Sequence, residues 1–324
     1  MIRIGIVGTG GMGNVHANHY PKLSQVELHC FDADPERLSA FSAKHRAKPA
    51  STFEELLSRV DAVDLCLPTD LHLQFGLAAL QAGKHCLVEK PMAGRVEDCQ
   101  QLINAADAAG VVLMPAQVVR FFPEFAAAHR AVCSGAIGQP AMARTRRGGK
   151  APLGSGGWFR DFARSGGVVL DLAIHDFDWL RWTLGEVEEV FCQALLGRST
   201  EGDYALTTLV HSSGAISHVE ATWMDMAGFR TTFEVSGSGG LLEFDSREVP
   251  TLRTHTATSA FLEAPVAGED DPYYRELRGF VEAIESGGVP PVTGQDGLKA
   301  VAIAAAAIES ARSGQPVRLD GHLA

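Results

Sequence analysis

Two groups of side chains in this sequence have the chemistry and the spacing for acid–base catalysis. The first is Asp171, His175 and Asp178, which recur at i, i+4 and i+7 of an amphipathic segment that follows a glycine pair. In an α-helix this spacing places the three side chains on one face. Imidazole is the side chain whose ordinary pKa lies closest to neutrality. We therefore expect His175 to exchange protons, with Asp171 beside it.

The second group is the tripeptide Glu89-Lys90-Pro91, which ends a short apolar run. Proline restrains the residue before it to extended backbone, so the ammonium is expected to project from the end of a strand. A solvated surface lysine is the ordinary alternative for a single Lys. An ammonium at a strand end can stabilise an oxygen that gains negative charge while a base removes its proton.

A glycine-rich turn near the N-terminus indicates a dinucleotide as the reaction partner. The apolar run 2–7 leads into Gly8-Thr9-Gly10-Gly11-Met12-Gly13, and Asp32 follows about 20 residues later, after a second apolar run. Gly8 permits a tight turn, Gly10 lets the backbone approach a pyrophosphate, and Gly13 lets the next helix pack closely on the strand. That helix directs its N-terminal N–H groups and the positive end of its dipole at the phosphates.

Asp32 also bears on the choice of cofactor. A carboxylate at the end of the second strand accepts hydrogen bonds from the adenosine ribose hydroxyls and repels a 2′-phosphate. Ala33 and Asp34 supply no cation, so the sequence predicts NAD rather than NADP, while Arg37 keeps NADP open. Asp34 followed by Pro35 is typical of a helix N-cap with proline at the first helical position.

Composition narrows the class of protein. The chain has 324 residues, which allows about two domains, and 28 basic against 39 acidic residues give a net charge of −11. We therefore expect neither a nucleic acid nor a membrane as partner. The 6 cysteines form no C-x-x-C pair, which suits reduced thiols and predicts no metal site. Because the sequence shows neither a leader nor a bilayer-spanning apolar segment, we expect a cytoplasmic protein.

The elements that must position these residues follow from the apolar pattern. Helical and strand-like segments alternate through the first third of the chain, which predicts a doubly wound parallel sheet. The predicted helices there are Glu36 to Lys44, Leu71 to Gln81 and Val96 to Ala109. From Val187 onward strand-like runs follow one another with turn signals between them, which predicts antiparallel pairing. We predict an α/β chain with a Rossmann sheet in residues 1–120 and an α+β domain with a large, mostly antiparallel open sheet in residues 121–324.

Taken together, these motifs resemble one family, the Gfo/Idh/MocA family (glucose–fructose oxidoreductase, inositol dehydrogenase, rhizopine catabolism) of NAD(P)-dependent sugar and polyol oxidoreductases. Further matching segments are Pro68-Thr69-Asp70-Leu71-His72, Ala82-Gly83-Lys84-His85, Arg120-Phe121 and Gly135-Ala136-Ile137-Gly138. The resemblance implies that Lys90 is the catalytic lysine, His175 the proton-transfer residue, and Asp171 the group that orients the imidazole and substrate hydroxyls.

The same resemblance implies a set of cofactor contacts and a set of substrate contacts. The cofactor set is Gly8, Thr9, Gly10, Gly11, Met12, Gly13, Asp32, Pro68, Thr69, His72, Glu89, Lys90 and Gln117. The substrate set is Lys90, Arg120, Trp158, Arg160, Asp161, Asp171 and His175. For His72 a capping or packing role is equally open. For Arg120, Trp158, Arg160 and Asp161 a role as a surface charge or a packing aromatic is equally open. Arg120 and Arg160 could bind a carboxylate or vicinal hydroxyls, which leaves sugar acids and neutral polyols both open.

We expect reversible hydride transfer between nicotinamide and a secondary alcohol carbon of a sugar, a cyclitol such as an inositol, or a sugar derivative. The resemblance also implies a homo-oligomer, either a dimer or a tetramer. Two alternatives stay open: a dinucleotide-binding sensor or regulatory protein without catalysis, and an enzyme that oxidises one carbon transiently to cleave a glycosidic bond. The combination of Lys90, Asp171 and His175 argues against the sensor, because binding alone needs none of their acid–base chemistry.

Overall fold

The computed structural model describes residues 1–152, 154–196, 203–249, 251–256, 259–263 and 271–319. These residues divide into two compact units. Unit 1 comprises residues 1–118 together with 271–298, and unit 2 comprises the other described residues. The sequence-based boundary at residue 120 assigned everything that follows it to the second domain, so the structure differs from it for the segment 271–298.

Unit 1 is built on a six-stranded sheet in the order β3-β2-β1-β4-β5-β6. Its neighbouring strands pair in parallel, and the central strands are buried. The strands are β1 (Ile2–Val7), β2 (Val26–Phe31), β3 (Lys48–Pro49), β4 (Ala62–Leu65), β5 (His85–Glu89) and β6 (Leu113–Ala116). This sheet confirms the predicted Rossmann architecture, in which ligands bind at the carboxyl ends of the strands.

The helices of unit 1 include one that arrives from late in the chain. They are α1 (Gly11–His19), α2 (Pro35–His45), α3 (Phe53–Arg59), α4 (His72–Gln81), α5 (Val96–Ala109) and, from the segment 271–298, α9 (Pro272–Ser286). The Asp271 carboxylate caps α9 by accepting the Tyr273 N–H at 2.9 Å, and Gly287 ends the helix in the left-handed conformation. α9 packs against α1, so unit 1 gains a helix that the N-terminal sequence pattern does not contain.

Unit 2 is built on a nine-stranded sheet in the order β14-β13-β12-β11-β7-β10-β9-β8-β15. Every neighbouring pair is antiparallel except β7 with β10, which confirms the predicted mostly antiparallel sheet. The strands are β7 (Pro140–Gly148), β8 (Val187–Leu195), β9 (Tyr204–His211), β10 (Ile216–Thr222), β11 (Arg230–Gly237), β12 (Gly240–Asp245), β13 (Leu252–Thr256), β14 (Ala260–Glu263) and β15 (Val317–Arg318).

Helices cover one face of this second sheet. They include α6 (Pro123–Cys133), α7 (Phe162–Ser165) and α8 (Ile174–Leu184), with α10 (Gly294–Ser313) beginning at the end of the unit 1 segment. Phe125 of α6 and Trp179 of α8 pack with Phe233 and Phe244 of the sheet, their ring centroids about 5 Å apart. Within the described residues, no helix combines the length and apolar character that crossing a bilayer requires.

Candidate functional site

The glycine-rich turn of unit 1 forms an open cradle at the N-terminus of α1. Gly8 has a φ of +93°, and a Cβ there would lie 2.5 Å from the Cys66 carbonyl oxygen. A Cβ on Gly13 would lie 2.2 Å from the Gly8 oxygen, so neither position accepts a side chain without backbone movement. A Cβ on Gly10 or Gly11, in contrast, would meet no atom within 4 Å. The turn is therefore closed on the protein side and open in front of the helix, as a pyrophosphate requires.

Asp32 holds this cradle from the end of β2. Its Oδ2 accepts both the backbone N–H and the hydroxyl of Thr9 at 2.8 Å, and its Oδ1 accepts the Asp34 N–H at 2.9 Å. Because Oδ1 retains a lone pair, it can still accept a ribose hydroxyl. Arg37 donates to the Asp34 carboxylate at 2.8 Å, and Asp34 caps α2, which confirms the N-cap interpretation. The nearby cation is thus already paired, an arrangement that favours NAD.

Two buried polar side chains at the carboxyl edge of the same sheet have no hydrogen-bond partner within the described part of the chain. They are Thr69, whose hydroxyl follows β4, and Gln117, whose amide oxygen and nitrogen follow β6. Thr69 is 3% exposed and Gln117 is 1% exposed. Leaving such groups unpaired costs about 1–3 kcal/mol each. A ligand with both a donor and an acceptor, such as the carboxamide of nicotinamide, fits the Gln117 amide.

His72 was predicted on the cofactor side, and the structure gives it a different role. The ring is fully buried, and its Nδ1 and Nε2 lie 2.8 Å from the Pro91 carbonyl oxygen and 2.9 Å from the Leu67 carbonyl oxygen. Both nitrogens therefore face backbone carbonyl oxygens, and a neutral ring donates to one of the two. His72 ties the loop that contains Pro68 to the segment that follows Lys90, which is the packing alternative that the sequence left open.

Lys90 follows directly on β5 and is half-buried, and the Lys90–Pro91 peptide bond is cis. Its backbone N–H donates to Oε2 of Glu89 at 3.0 Å. Glu89 itself is only 7% exposed, and its Oε1 faces His16 of α1 at 3.4 Å. The Glu89 carboxylate thus holds the backbone of the lysine from inside the unit.

The segment that carries the predicted acid–base residues in unit 2 is not one regular α-helix. Asp171 is buried in a π-helical stretch, Val169–Ala173, and His175 follows as the second residue of α8. The π-helical i→i+5 bonding breaks the 3.6-residue period, so an α-helical face cannot be projected from Asp171 to Asp178. Among residues 171–180 His175 alone is half-buried, while its neighbours are buried.

The sequence predicts that Asp178 shares a face with the acid–base pair and that Arg120 contacts substrate. In the structure these two side chains pair with each other. The Arg120 guanidinium donates twice to the Asp178 carboxylate, at 2.7 and 2.6 Å, and both side chains are buried. This pairing uses two of the five N–H donors of the guanidinium. We therefore interpret Arg120 as a structural partner of α8, and its contact with substrate stays a prediction.

A second buried ion pair, which the sequence analysis missed, anchors the same helix from the sheet. Arg147 of β7 donates to the Asp176 carboxylate at 2.7 and 3.3 Å, and the Trp179 indole donates to the Phe125 carbonyl oxygen at 3.1 Å. In the sequence, the two acids at 176 and 178 on either side of Phe177 were the signal that could have indicated buried ion pairs. These contacts fix the backbone that carries His175.

The remaining substrate candidates lie near α7. Trp158 is half-buried and stacks on Phe159 with a centroid distance of 3.9 Å, and Arg160 is exposed. Asp161 caps α7 by accepting the Ala163 N–H at 3.0 Å, so its carboxylate already has a structural function. A role in substrate binding stays a prediction for all three.

Comparison with known protein families matches two parts of the chain to two family models. Residues 2–117 match the model described as "Oxidoreductase family, NAD-binding Rossmann fold", and residues 125–243 match the GFO/IDH/MocA C-terminal domain. The chain belongs to the GFO/IDH/MocA oxidoreductase family. Its Rossmann domain is accordingly an NAD-binding domain, in agreement with the cradle, Asp32 and the buried Gln117 amide described above.

Relatives of this GFO/IDH/MocA protein extend over almost its whole length. It is 31% identical to a myo-inositol 2-dehydrogenase of Thermotoga maritima over 98% of this chain and 99% of the relative. It is 34% identical to a 1,5-anhydro-D-fructose reductase of Ensifer adhaerens, with 88% of each chain covered. The solved structure of the WlbA dehydrogenase from Bordetella pertussis with NADH and UDP-GlcNAcA is 25% identical, with a TM-score of 0.88 over 98% of both chains.

Proposed function

We propose that this protein is an NAD-dependent dehydrogenase that acts on a secondary alcohol of a sugar, a cyclitol or a sugar derivative. The relatives named above are an inositol dehydrogenase, an anhydrosugar reductase and a nucleotide-sugar dehydrogenase, so polyhydroxylated rings are their common substrate class. The observation that carries the proposal is the buried Gln117 amide, which has no hydrogen-bond partner within the described residues and lies at the carboxyl edge of a sheet with an open glycine cradle.

In this proposal Lys90 and His175 serve the same reaction. In the oxidation direction His175 accepts the proton of the substrate hydroxyl, and Lys90 donates a hydrogen bond that stabilises the developing alkoxide. Asp171 orients the imidazole and the substrate hydroxyls. Bound NAD supplies the acceptor for the hydride. The two ion pairs of α8 keep His175 in place while its charge changes during the reaction.

The test is a panel of inositols, aldoses, anhydrosugars and sugar acids, each incubated with NAD or, for the ketones, with NADH. We expect turnover of at least one polyol, and a fall of about two to four powers of ten in kcat for Lys90→Met and for His175→Ala. NADH affinity, measured by fluorescence titration, should change little in either variant. Full activity in both variants would refute the assignment. Binding of NADH with no turnover on the panel would favour a sensor.

The oligomeric state and the location are further parts of the proposal. The sheet face opposite the helices of unit 2 exposes Leu206 and Ile216 on adjacent strands, at 43% each. We propose that this face pairs subunits in a homodimer or homotetramer in the cytoplasm. Light scattering after size exclusion should give a multiple of 34.5 kDa, and Leu206→Glu should shift it towards the monomer mass.

A further inference from the structure

A cluster of polar side chains lies inside unit 1, where α9 packs on α1. We call it the α1–α9 cluster. Its members are His16, Tyr20, Asp64, Cys66, Glu89, Tyr273 and Glu276. They are buried except Cys66 and Tyr273, which are half-buried, and only Glu89 has a role in the site described above. Burying so many polar groups in one place is costly unless they satisfy one another.

His16 lies at the centre of this cluster. It is fully buried, one helical turn after Gly13 of the nucleotide cradle. Its Nδ1 is 2.8 Å from Oδ2 of Asp64, and its Nε2 faces Oε1 of Glu89 at 3.4 Å. The other oxygen of Glu89 accepts the backbone N–H of Lys90. Only one carboxylate therefore separates His16 from the backbone of the proposed catalytic lysine.

The charge of this imidazole is fixed by its neighbours. Burial alone would lower the pKa of His16, but the charge and the hydrogen bond of the Asp64 carboxylate oppose this effect, and the pKa lies well above its ordinary value. An imidazolium donates from both ring nitrogens. The Nδ1 of His16 is hydrogen-bonded to Asp64, and its Nε2 makes a longer ion-pair contact with Glu89 that is not a hydrogen bond within the described residues.

Glu276 of α9 is a further acid of the cluster. It is fully buried, and both of its carboxyl oxygens lack a hydrogen-bond partner within the described ranges. Burial raises the pKa of Glu276 well above its ordinary value; the His16 charge opposes that rise, and the charges of Glu89 and Asp64 add to it. Glu276 thus adds a buried acid on the α9 side of the cluster, while the His16 ring lies between Asp64 and Glu89.

A metal ion is the competing explanation, because His16, Asp64 and Cys66 offer three ligand atoms that all lie within 4.8 Å of one another. Metal binding needs a thiolate and a neutral imidazole. Burial raises the pKa of the Cys66 thiol far above its ordinary value, and the His16 pKa is shifted towards the charged form. The metal content of the purified protein distinguishes the two explanations.

We propose that His16 is a positioning residue for the reaction: through Glu89 it holds the backbone of Lys90 against the helix that binds the cofactor phosphates. This inference rests on the proposed function of Lys90. It assigns a task to the Nε2 side of the ring, towards Glu89, that is separate from the structural contact of Nδ1 with Asp64. The two ring nitrogens can be tested separately.

The test replaces His16 with the two amides that imitate one ring nitrogen each. The shorter Asn side chain places its NH₂ near the position of Nδ1 and cannot reach Glu89, whereas Gln reaches the position of Nε2. We expect kcat to fall about tenfold or more in His16→Asn, because small displacements of a catalytic group are that costly, and clearly less in His16→Gln. The NADH dissociation constant should stay within about threefold in both variants.

His19→Gln is the matched control, since His19 lies on the same helix and stacks on Tyr273 of α9. Its kcat should equal that of the wild type. A second readout needs no turnover: the rate at which an amine-acylating reagent modifies Lys90, followed by peptide mass spectrometry with Lys84 as internal reference. We expect this rate to change in His16→Asn and to return towards the wild-type value in His16→Gln.

Each result decides between the explanations. Equal kcat in the Asn and Gln variants, a higher kcat in Asn, or unchanged Lys90 acylation in both would overturn the positioning role. One equivalent of zinc in the purified protein, by elemental analysis, would overturn it in favour of the metal. If the wild type turns over no polyol, the proposed function fails, and the acylation rates still report whether His16 positions Lys90.

Discussion

The two units differ in how the buried polar groups near the predicted catalytic residues are hydrogen-bonded. In unit 1 the Gln117 amide and the Thr69 hydroxyl are buried at the carboxyl edge of the sheet with no hydrogen-bond partner among the described residues. In unit 2 the buried acids on either side of Phe177 each receive two hydrogen bonds from an arginine, Arg147 for Asp176 and Arg120 for Asp178.

This difference separates two tasks of buried polar groups. An unsatisfied amide raises the free energy of the protein alone, and a ligand that pairs with it recovers that cost on binding. A satisfied ion pair adds little net stability but makes the loss of one partner very costly, which holds a helix in one position. In unit 1 the unsatisfied polar groups thus favour the binding of a cofactor. In unit 2 the ion pairs hold α8, and with it His175, in one position.

The largest expected effect comes from breaking an ion pair of α8. Arg120→Met leaves the Asp178 carboxylate buried without its partner, and the free energy of unfolding should fall by about 3–5 kcal/mol. Urea denaturation at neutral pH measures this loss. The double variant Arg120→Met with Asp178→Leu removes both charges and should recover most of it.

The exposed pair of Arg59 and Glu55 on α3 is the control. Arg59→Met should change the free energy of unfolding by no more than about 0.5 kcal/mol, as for other surface pairs four residues apart. A loss at Arg120 as small as at Arg59 would show that the buried pair does not anchor α8.

The glycine cradle offers a contrast between folding and binding within a single turn. Gly13→Ala places a Cβ against the Gly8 carbonyl oxygen and should lower the free energy of unfolding by about 1–3 kcal/mol. Gly10→Ala meets no protein atom, so stability should be preserved while NADH affinity falls about tenfold or more. Thermal unfolding and fluorescence titration of both variants separate the two effects. Unchanged NADH binding in Gly10→Ala would contradict a pyrophosphate position at this turn.

A smaller effect, with opposite signs for stability and binding, is expected at Gln117. Gln117→Leu removes a buried amide that has no partner in the part of the chain that the structure describes, so the protein without ligand should become more stable by about 1 kcal/mol. NADH should bind more weakly, because the leucine cannot pair with it. Unfolding with and without saturating NADH gives both values for one variant. A variant that is less stable without ligand would mean that the protein itself satisfies this amide.

Sequence patterns predict much of unit 1 because local chemistry determines it. The parallel strands are short apolar runs, Asp34 and Pro35 start α2, and glycines with their acid at a fixed distance mark the cradle. The helix α5 is predicted residue for residue, since Gly110 ends it in the left-handed conformation. The placement of α9 in unit 1 could not be predicted, because its partner α1 ends at His19 and α9 begins only at Pro272.

The site in unit 2 is less accessible to sequence reasoning because its pairings are long-range. The strand β7 carries arginines at positions 144, 146 and 147 and does not look like a central strand, yet Arg147 is buried because Asp176 neutralises it. The π-helical stretch after Gly167 changes the helical positions of the acid–base residues, and no periodicity in the sequence indicates this stretch. Charge pairs across elements are the missing information in both cases.

The smallest predicted effect concerns pH and the surroundings of Arg120. Burial, together with the charges of Arg120 and Arg130, lowers the pKa of His129 to about 4. The unfolded chain takes up a proton near pH 6.5, whereas the folded protein resists protonation until about pH 4, so the folded state loses stability as the pH falls through that interval.

His129 also stacks on Trp182, with ring centroids 3.3 Å apart, and the Arg120 guanidinium lies 5.2 Å from the Trp182 ring. His129→Phe keeps an aromatic ring on the tryptophan and removes the titration. Between about pH 7.5 and about pH 5 the variant should therefore lose less unfolding free energy than the wild type in urea titrations. An equal loss in both proteins would mean that His129 accepts a proton as easily when folded as when unfolded, and hence that Arg120 does not oppose its charge.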